Sequence, residues 1–522
     1  MADLRAGFLV FLIALPLCLG ISLASGVPPT SGLITAIVGG LLGPAVGSAR
    51  LTIKGPAAGL IAIALGAVTE LGAGDPVAGY HRALAVGVVA GMVQVVFALT
   101  RTGVIGDLMP SAVVQGMLAA IGVIIVSKQA HVALGVVPVS VDPLSLLAEI
   151  PDSMLHLQPA VFAIGLAALG MLYGMPLVRG RWVRAVPAQL MVLLVAVPMA
   201  AVFGLGPEQM YQFAQVTDVV APVWLSWLPA SMAGVLAFPD FSQVFSPTSL
   251  KYIVMFALVG SIESLLSVTA VDTLDPQRRS SDLNRDLLAT GLSNVVAASM
   301  GGLPMISEIV RSKANIDSGA RSHWSNFAHG AFLLLSLALI PGLLHWIPLA
   351  ALAAMLIYTG TRLASPAEFM RAYHLGSEQV LVFVTTMLVT LMTDLLVGVA
   401  AGLALKAVLD LASGAPLARL FSAVVSEERR GDQLRLTVHD AALFSNYLGL
   451  KRRLDAIPAD IRTVVIDFDN AWVVDHTVLS RLDALSGTWN DRTLELVGLD
   501  DHRAVSHHPL ASRRKVRDDA GE

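Results

Sequence analysis

The pattern of apolar and polar residues divides most of the chain into long apolar runs that are typical of membrane-spanning helices. A helix needs about 20 apolar residues to cross a bilayer, and the sequence predicts fourteen spans in two sets of seven. The first set is predicted at 6–25, 31–48, 56–70, 79–100, 108–127, 158–178 and 185–205. The second set is predicted at 250–271, 286–300, 304–316, 323–341, 344–360, 378–393 and 395–413.

The third span of each set is predicted as a half-length helix that follows an interrupted stretch. Ile53–Leu60 and Gly301–Glu308 each carry Gly and then Pro where a helix would begin. Because proline suits the first turn of a helix, we expect half-helices at 56–70 and 304–316. A half-helix directs its unpaired N–H groups and its positive dipole end into the membrane interior. Paired broken helices indicate a transporter's substrate site, and two facing positive ends favour an anion.

The spacing of the two proline-containing stretches indicates an internal repeat. Pro56 lies about 50 residues after the start of its set, and Pro304 lies about 54 residues after the start of its own. Because each set has an odd number of spans, the second copy is inverted in the membrane, as in many secondary transporters. We therefore predict a polytopic α-helical transmembrane domain at 1–413, built from inverted seven-helix repeats at about 1–205 and 250–413.

Charged residues in the predicted loops indicate the orientation, because cytoplasmic loops carry an excess of Lys and Arg. The segment 185–250 contains three acidic residues and no Lys or Arg, and the loop 128–157 contains three acidic residues and one Lys. Both should face outward, which places both termini in the cytoplasm of a bacterial-type inner membrane. The basic residues of the predicted cytoplasmic loops are Arg101, Arg179, Arg181, Arg184, Arg278, Arg279, Arg285, Arg321, Arg362 and Arg371.

The composition changes at about residue 414, where strand and helix patterns begin to alternate. The predicted elements are strands at 434–438, 463–468 and 494–499, and helices at 444–456 and 477–485. This alternation predicts a small α/β domain at 430–500 on the cytoplasmic side of the membrane. Residues 501–522 are expected to form a mobile tail. His502, His507 and His508 are then solvated, with a metal site as the alternative.

Composition excludes several classes of protein. The 522 residues are 55% hydrophobic and 14% charged, whereas a soluble protein carries roughly 25% charged residues. The net charge of −4 argues against nucleic acid as a partner, and the one cysteine excludes a disulfide framework and most thiolate metal sites. No nucleophile–base constellation or metal-ligand spacing is visible, so we expect neither an enzyme nor a cofactor, apart from Na⁺ or H⁺ as a coupling ion.

Glu263, in the middle of the eighth predicted span, is the first candidate for chemistry. A carboxylate there is costly in lipid and should face the bundle interior or water. It is either a structural hydrogen-bonding group, a substrate contact, or a site for a proton or Na⁺. Ser267, one helical turn further, and Glu308, in the second interrupted stretch, are the other candidates for the coupling-ion site.

The residues around the two half-helix starts are the candidates for the anion site. Glu308 and Arg311 lie three apart and share one helix face, so Arg311 either holds an oxyanion or forms a structural pair with Glu308. Ser307 can present its hydroxyl and its N–H group, and Pro16 can kink the first span beside the site. The full candidate set is Pro16, Leu17, Cys18, Ala57, Ala58, Met305, Ile306, Ser307 and Arg311.

Taken in order, several short motifs resemble the SulP anion permease family, called solute carrier family 26 in animals, over nearly the whole chain. The motifs are Asp3-Leu4-Arg5-Ala6-Gly7, Gly26-Val27-Pro28-Pro29, Gly55-Pro56-Ala57-Ala58, Ile262-Glu263-Ser264-Leu265-Leu266, Gly301-Gly302-Leu303-Pro304, Asn315-Ile316, Ser318-Gly319-Ala320-Arg321 and Ile347-Pro348-Leu349-Ala350-Ala351-Leu352. The resemblance implies a core and a gate domain, with the anion between the third and tenth spans and flanked by the first and eighth. It also implies a C-terminal STAS domain and a homodimer.

Departures from the family pattern refine this expectation. Many relatives have Pro-Gln where this chain has Pro16-Leu17, so one polar substrate contact is missing. The stretch 16–26 is more similar to a bacterial branch associated with carbonic anhydrases, which implies bicarbonate as the substrate. Glu308 replaces a small residue, so two carboxylates near the site favour cation coupling. His476 interrupts the Asp-Ser-Ser or Asp-Ser-Thr phosphorylation motif of soluble STAS relatives, which leaves Thr477 a weak candidate and favours a scaffold role.

We therefore expect a secondary transporter that moves a small inorganic anion, bicarbonate first and sulfate second, by alternating access coupled to Na⁺ or H⁺. The expected partners are the anion, the lipid bilayer, a second copy of the chain and a cytoplasmic partner at the STAS domain. Three alternatives stay open. They are transport of sulfate or a dicarboxylate, an uncoupled anion channel, and a membrane-anchored signalling protein whose spans no longer transport.

Overall fold

The computed structural model describes residues 1–102, 109–140, 142–178, 187–205, 236–277, 279–339, 347–458, 460–489 and 492–515. The first helices are α1 (Ala2–Ala24), α2 (Pro29–Val46), α3 (Ile61–Gly72), α4 (Pro76–Leu99), α5 (Ser111–Leu134), α6 (Pro143–Leu155), α7 (Pro159–Gly174) and α8 (Ala188–Val202). After them come α9 (Pro247–Leu274), α10 (Leu283–Ser299), α11 (Ile309–Asp317), α12 (Trp324–Leu339), α13 (Leu349–Leu363), α14 (Pro366–Leu375), α15 (Ser377–Met392) and α16 (Leu395–Ala412).

Each of the fourteen predicted spans coincides with one of these helices, which confirms the predicted polytopic helical fold. Seven helical segments among the described residues are at least 18 residues long and apolar enough to cross a membrane, when α7 is counted together with the 3₁₀ turn that continues it to Leu177, and four shorter helices are also apolar. Most of the predicted outward loop, at 206–235, lies outside the described residues. The same holds for the predicted cytoplasmic residues Arg179, Arg181, Arg184 and Arg278.

Helices α6 and α14 were not predicted, because a short amphipathic helix contains no long apolar run. Their starts are nevertheless encoded locally. Each has proline at its first position, where the missing N–H group is not needed. The side chain of Asp142 caps α6 by accepting from the Ser145 N–H group, and Ser365 caps α14 by accepting from the Ala367 N–H group.

The chain forms two compact units, one of residues 1–103 and 121–363 and the other of residues 104–120 and 364–522. In the first unit, two pairs of helices approach closely at glycines. A Cβ atom on Gly40 of α2 would lie 2.6 Å from the Cα atom of Gly330 on α12. A Cβ atom on Gly91 of α4 would lie 3.0 Å from the carbonyl oxygen of Gly291 on α10. Helices α2 and α10 are the second spans of the two predicted sets, and α4 and α12 are the fourth spans. The α2–α12 contact in one direction therefore corresponds to the α10–α4 contact in the other, which supports the predicted repeat.

The second unit ends in a mixed sheet with helices α17 (Tyr447–Asp455) and α18 (His476–Thr488). Its strands are β3 (Val424–Arg430), β4 (Gln433–Ala442), β5 (Thr463–Asp467), β6 (Ala471–Val474), β7 (Thr493–Val497), β8 (His502–Ala504) and β9 (Arg513–Lys515). The strand order is β7-β5-β4-β6-β9-β8, and β3 pairs with β4. Parallel pairs β4–β5 and β5–β7 enclose a core with the two helices, as predicted for an α/β domain.

The prediction of a mobile tail from residue 501 is wrong for residues 501–515. Strand β9 pairs with β6 and with β8, so this segment extends the sheet beyond the predicted boundary. His502 is buried, and its Nε2 lies 2.7 Å from the carbonyl oxygen of Ala471. Strand β3 likewise starts the domain at Val424 rather than at residue 430. Thr477 is buried at the start of α18, which argues against its phosphorylation in this fold.

Within the second unit, the last membrane helix is joined to the sheet domain by a buried charge cluster. Lys406 Nζ on α16 lies 3.0 Å from Asp475 Oδ1, at the start of α18, and also bonds Asp410. The exposed fraction of each of these three side chains is 3% or less. Lys406 is therefore the countercharge for two buried carboxylates.

Replacing Lys406 with methionine should detach the sheet domain from α16. The change leaves buried carboxylates without a countercharge, which typically costs about 3–5 kcal/mol. We expect a clearly lower melting temperature of the detergent-solubilised chain, with partial recovery in K406M/D475N. The matched control is Arg371→Met, which removes an exposed ion pair with Glu368 and should change the free energy of unfolding by about 1 kcal/mol or less. Equal melting temperatures for the two variants would contradict the assignment.

Candidate functional site

The two interrupted stretches meet in the first unit as a short antiparallel pair of strands, β1 (Ile53–Pro56) and β2 (Met305–Glu308). Ile53 lies opposite Glu308, and Pro56 lies opposite Met305. A 3₁₀ turn, Ala58–Leu60, leads from β1 into α3, and α11 begins directly after Glu308. We call this pair of strands, β1 and β2, the crossing. Both half-helices run away from the crossing and direct their N-terminal ends back towards it, as predicted for a broken-helix site.

The prolines do not occupy the first helical turns, so this detail of the prediction is wrong. Pro56 is the last residue of β1, and Pro304 precedes β2. The chain after each proline stays extended, to residue 57 in the first case and residue 308 in the second. Each stretch stays extended because it pairs with the other stretch as a β-strand. That pairing is not visible in the sequence of either stretch alone.

The backbone of the crossing is held largely by side chains from neighbouring helices. Asn294 on α10 bonds both backbone groups of Met305, accepting from its N–H group at 2.6 Å and donating to its carbonyl oxygen at 3.1 Å. The N–H group of Ser307 donates to Ser264 Oγ at 3.1 Å, and that of Ile53 donates to Ser312 Oγ at 2.9 Å. These bonds fix the strands against α9, α10 and α11.

The predicted substrate contacts therefore divide into two groups. Met305 and Ser307 use their N–H groups for anchoring, and the side chains of Met305, Ile306 and Ser307 are buried. The backbone around Ala57 and Ala58 lies at the open end of the first half-helix. The second half-helix begins at residue 309, so the N–H groups without an intrahelical acceptor there are those of residues 309–311 and not that of Ser307.

Arg311 is brought to the crossing as predicted. Its side chain is 1% exposed, and Nη1 donates to Cys18 Sγ of α1 at 3.5 Å rather than to a carboxylate. A Cβ atom on Gly55 would lie 2.4 Å from the same nitrogen, so only glycine leaves room for the guanidinium beside β1. The structural Glu308–Arg311 pair that the sequence left open is not among the ion pairs of the described residues, and Arg311 lies between α1 and β1 as a buried cation.

Two carboxyl groups gather at the start of the first half-helix. Glu263 on α9 lies against Gly59, where an added Cβ atom would be 2.2 Å from its Oε1. Glu308 interacts with the backbone N–H group of Ala58 and is close enough to Glu263 for their charges to interact. Among the described residues, Glu263 Oε2 and Glu308 Oε1 have no hydrogen-bond partner. This arrangement leaves carboxylate oxygens for a cation or a proton.

The remaining candidates lie near the crossing but do not all face it. Pro16 is buried inside α1, and Leu17 packs in a cluster with Val161 and Ala354. Cys18, the next residue, contacts Arg311. Ser267 is buried one turn after Glu263. Within the part of the chain that the structure describes, no three His, Cys, Asp or Glu residues are grouped as metal ligands.

A buried ion pair beside the crossing was missed by the sequence reasoning. Lys54 Nζ of β1 lies 3.0 Å from Asp286 Oδ2 of α10, and the two side chains are 0% and 1% exposed. The same nitrogen lies 2.6 Å from Thr290 Oγ1 and 3.0 Å from Ser307 Oγ. Lysine within a membrane-embedded stretch was the available signal, because a charge at that depth is rare and usually functional.

Comparison with known proteins gives a consistent result. The model of the sulfate permease family matches residues 1–386. A putative sulfate transporter of Bacillus subtilis (strain 168), YvdB, is 29% identical over 405 residues, which cover 77% of this chain and 72% of that protein. The bicarbonate transporter BicA of Picosynechococcus sp. is 25% identical over 416 residues, covering 78% of this chain and 70% of BicA.

A solved structure extends the likeness through the sheet domain. Murine solute carrier 26 family member A9, described as an anion transporter in the inward-facing state, matches with a TM-score of 0.65 and 15% sequence identity. The match covers 95% of this chain and 84% of the murine chain. At that identity the comparison shows a shared fold, consistent with a STAS-type domain after the membrane helices.

Proposed function

The chain belongs to the sulfate permease family of membrane anion transporters, and we propose that it is a secondary transporter of bicarbonate, coupled to Na⁺ or H⁺. The anion binds between the two half-helix ends, near the backbone at residues 57–59, where Glu308 occupies the Ala58 N–H group, and near the N–H groups that follow Glu308. Arg311 supplies a buried positive charge on one side. Glu263 and Glu308 hold the coupling cation on the other.

The charge balance at the crossing is the observation that carries this proposal. Lys54 and Asp286 neutralise each other, which leaves one buried cation, Arg311, and two carboxyl groups, Glu263 and Glu308. One Na⁺ or H⁺ bound to the carboxyl pair makes these three groups neutral in sum. A monovalent anion then adds one negative charge to the site, whereas sulfate adds two and incurs a greater electrostatic cost. The site therefore favours bicarbonate over sulfate and links anion binding to cation binding.

Sulfate remains the second candidate substrate, because the relative YvdB carries the name of a putative sulfate transporter. The related protein BicA is named as a bicarbonate transporter, so members with both names resemble this chain to a similar degree. A tetrahedral dianion has four oxygens for the same N–H groups. Its binding would require that both carboxyl groups be neutralised.

We further propose that the protein lies in a bacterial-type inner membrane with both termini in the cytoplasm and works as a homodimer by alternating access. The orientation is supported by the arginine-rich loops such as Arg279, Arg285 and Arg321, which follow the positive-inside rule. The sheet domain would then face the cytoplasm.

Competition for a single site tests the substrate assignment. Purified protein in liposomes at pH 8 is supplied with ¹⁴C-bicarbonate, with unlabelled bicarbonate, sulfate, succinate or chloride as competitors. Protein-free liposomes correct for diffusion of CO₂. We expect bicarbonate to compete at concentrations at least about tenfold below those of sulfate, which corresponds to about 1.4 kcal/mol. Stronger competition by sulfate would reverse the substrate assignment and leave the family assignment unchanged.

A further inference from the structure

The buried pair of Lys54 and Asp286 links strands β1 and β2 of the crossing to helices α2 and α10. The lysine stem passes through a groove in α2, where Cβ atoms on Gly39 and Gly43 would lie 2.9 Å from its Cβ and 3.1 Å from its Cδ. Its ammonium group then reaches Asp286 on α10 and Ser307 on β2. Two glycines one turn apart on α2 therefore make room for one particular side chain of β1.

The groups that accept hydrogen bonds from Lys54 are also hydrogen-bonded to one another and to the neighbouring backbone. Asp286 and Thr290 lie four residues apart on one face of α10, and both bond the Lys54 ammonium group. Asp286 Oδ1 also accepts from the Ala49 N–H group at 2.7 Å, and Asp286 Oδ2 accepts from the Ser307 hydroxyl at 3.2 Å. The pair thus joins the chain before β1 to the middle of β2.

Stability alone does not explain such a pair. A fully buried ion pair often stabilises a fold no better than apolar side chains of the same volume, whereas fixing one register is its best-attested use. Backbone hydrogen bonds alone determine the register of the crossing only weakly, because the β1–β2 ladder is four residues long and Pro56 has no N–H group to donate. A slip of one residue would turn Lys54 to the opposite face of the strand, away from Asp286.

We propose that Lys54 and Asp286 are positioning residues that fix the register of the crossing and thereby hold the two half-helix ends at the spacing that binds the anion. This inference rests on the proposed function of the crossing as the anion site. Neither residue contacts the anion. Their effect passes through β1 to the Ala57–Ala58 backbone and through Ser307 to the start of α11.

The main variant is K54M/D286N, in which methionine keeps an unbranched stem in the α2 groove and asparagine keeps an oxygen for the Ala49 N–H group. Two readouts are measured on the full chain in liposomes or nanodiscs: KM and maximal rate of ¹⁴C-bicarbonate uptake, and hydrogen–deuterium exchange of peptides covering 50–60 and 303–312. The matched control is K251M/E70Q, which removes a solvent-exposed ion pair of the same unit.

We expect the double variant to keep the melting temperature of the wild type but to raise KM by at least about tenfold, since a displacement of about 1 Å in a bound geometry can cost about 100-fold. The maximal rate should change much less, and exchange should accelerate in the two crossing peptides only. The variant Thr290→Val keeps the charges of Lys54 and Asp286 and removes one hydrogen-bond acceptor of Lys54. It replaces the double variant as the test if the double variant does not fold. It should raise KM roughly two- to tenfold, the value of one hydrogen bond.

Wild-type KM in the variants, or unchanged exchange at the crossing, overturns the proposal. A fall in stability that accompanies uniformly faster exchange along the unit also overturns it, because the pair would then be structural only. The exchange measurement needs no substrate. If the wild-type protein takes up neither bicarbonate nor sulfate, the proposed function fails, and local acceleration of exchange still decides whether the pair fixes the register.

Discussion

Replacing Glu263 with glutamine should abolish the accumulation of bicarbonate against its gradient while leaving the protein folded. Glutamine keeps the size of the side chain that packs against Gly59 but neither carries a negative charge nor titrates. An imposed tenfold gradient of one coupled monovalent ion is worth about 1.4 kcal/mol and supports about tenfold accumulation of the anion. We expect this component to vanish in E263Q, and uptake to stop at equilibrium with the external concentration. The measurement is ¹⁴C-bicarbonate uptake in liposomes with Na⁺ and pH gradients imposed separately.

The control for Glu263 is Glu70→Gln, because Glu70 is a partly exposed carboxylate of the same unit that pairs with Lys251. Its removal should leave the accumulation ratio unchanged. If E263Q accumulates bicarbonate to the wild-type level with the same ion dependence, Glu263 does not carry the coupling ion. Glu263→Ala should give the same loss of coupling, and full retention of coupling in that variant would equally exclude the role.

Replacing Arg311 with glutamine should weaken anion binding by roughly 10- to 100-fold, with a similar rise in KM. A hydrogen bond to a charged group contributes about 1.5–3 kcal/mol, and Arg311 is buried at the crossing with a sulfur atom, rather than a carboxylate, as its hydrogen-bond acceptor. Its charge also interacts with the Glu308 carboxyl, and we expect it to act on a bound anion as well. The measurement is the concentration dependence of bicarbonate uptake, together with the melting temperature.

Lys313→Gln is the matched control for Arg311, because Lys313 lies on the same short helix, is 53% exposed and pairs with Asp317. It should change KM by less than about twofold, as expected for a surface charge. An unchanged KM in R311Q, at equal protein folding, would remove Arg311 from the anion site and leave the helix ends as its only positive groups.

The sequence was sufficient to predict the two interrupted helices, because their signals are local. Apolar runs indicated the spans, and the breaks at Gly55-Pro56 and Gly302-Leu303-Pro304 located the two interrupted helices. The exact helix starts were not predictable in the same way. Whether the chain after a proline becomes helical or stays extended depends here on the opposing strand, since Pro56 is paired with Met305 from the other half of the chain.

Features that depend on distant partners were missed for the same reason. Lys54 and Asp286 are 232 positions apart, and nothing near either residue in the sequence identifies the other. The short strands β8 and β9 have three residues each and show no alternation strong enough to be recognised. They exist as strands because they pair with each other and with β6. By contrast, Glu263 was found because a carboxylate in an apolar run is unusual by itself.

The central claim is that the crossing binds a monovalent anion together with a coupling cation, and gradient-driven accumulation tests it most directly. ¹⁴C-bicarbonate and ³⁵S-sulfate uptake should be followed in the same liposomes at zero gradient, with an inward Na⁺ gradient, and with an inward H⁺ gradient. We expect bicarbonate to accumulate transiently under one of the two gradients, above its external concentration and above its level in protein-free liposomes under the same gradient, with little sulfate. Downhill flux alone under every gradient, or accumulation of sulfate in place of bicarbonate, would contradict it.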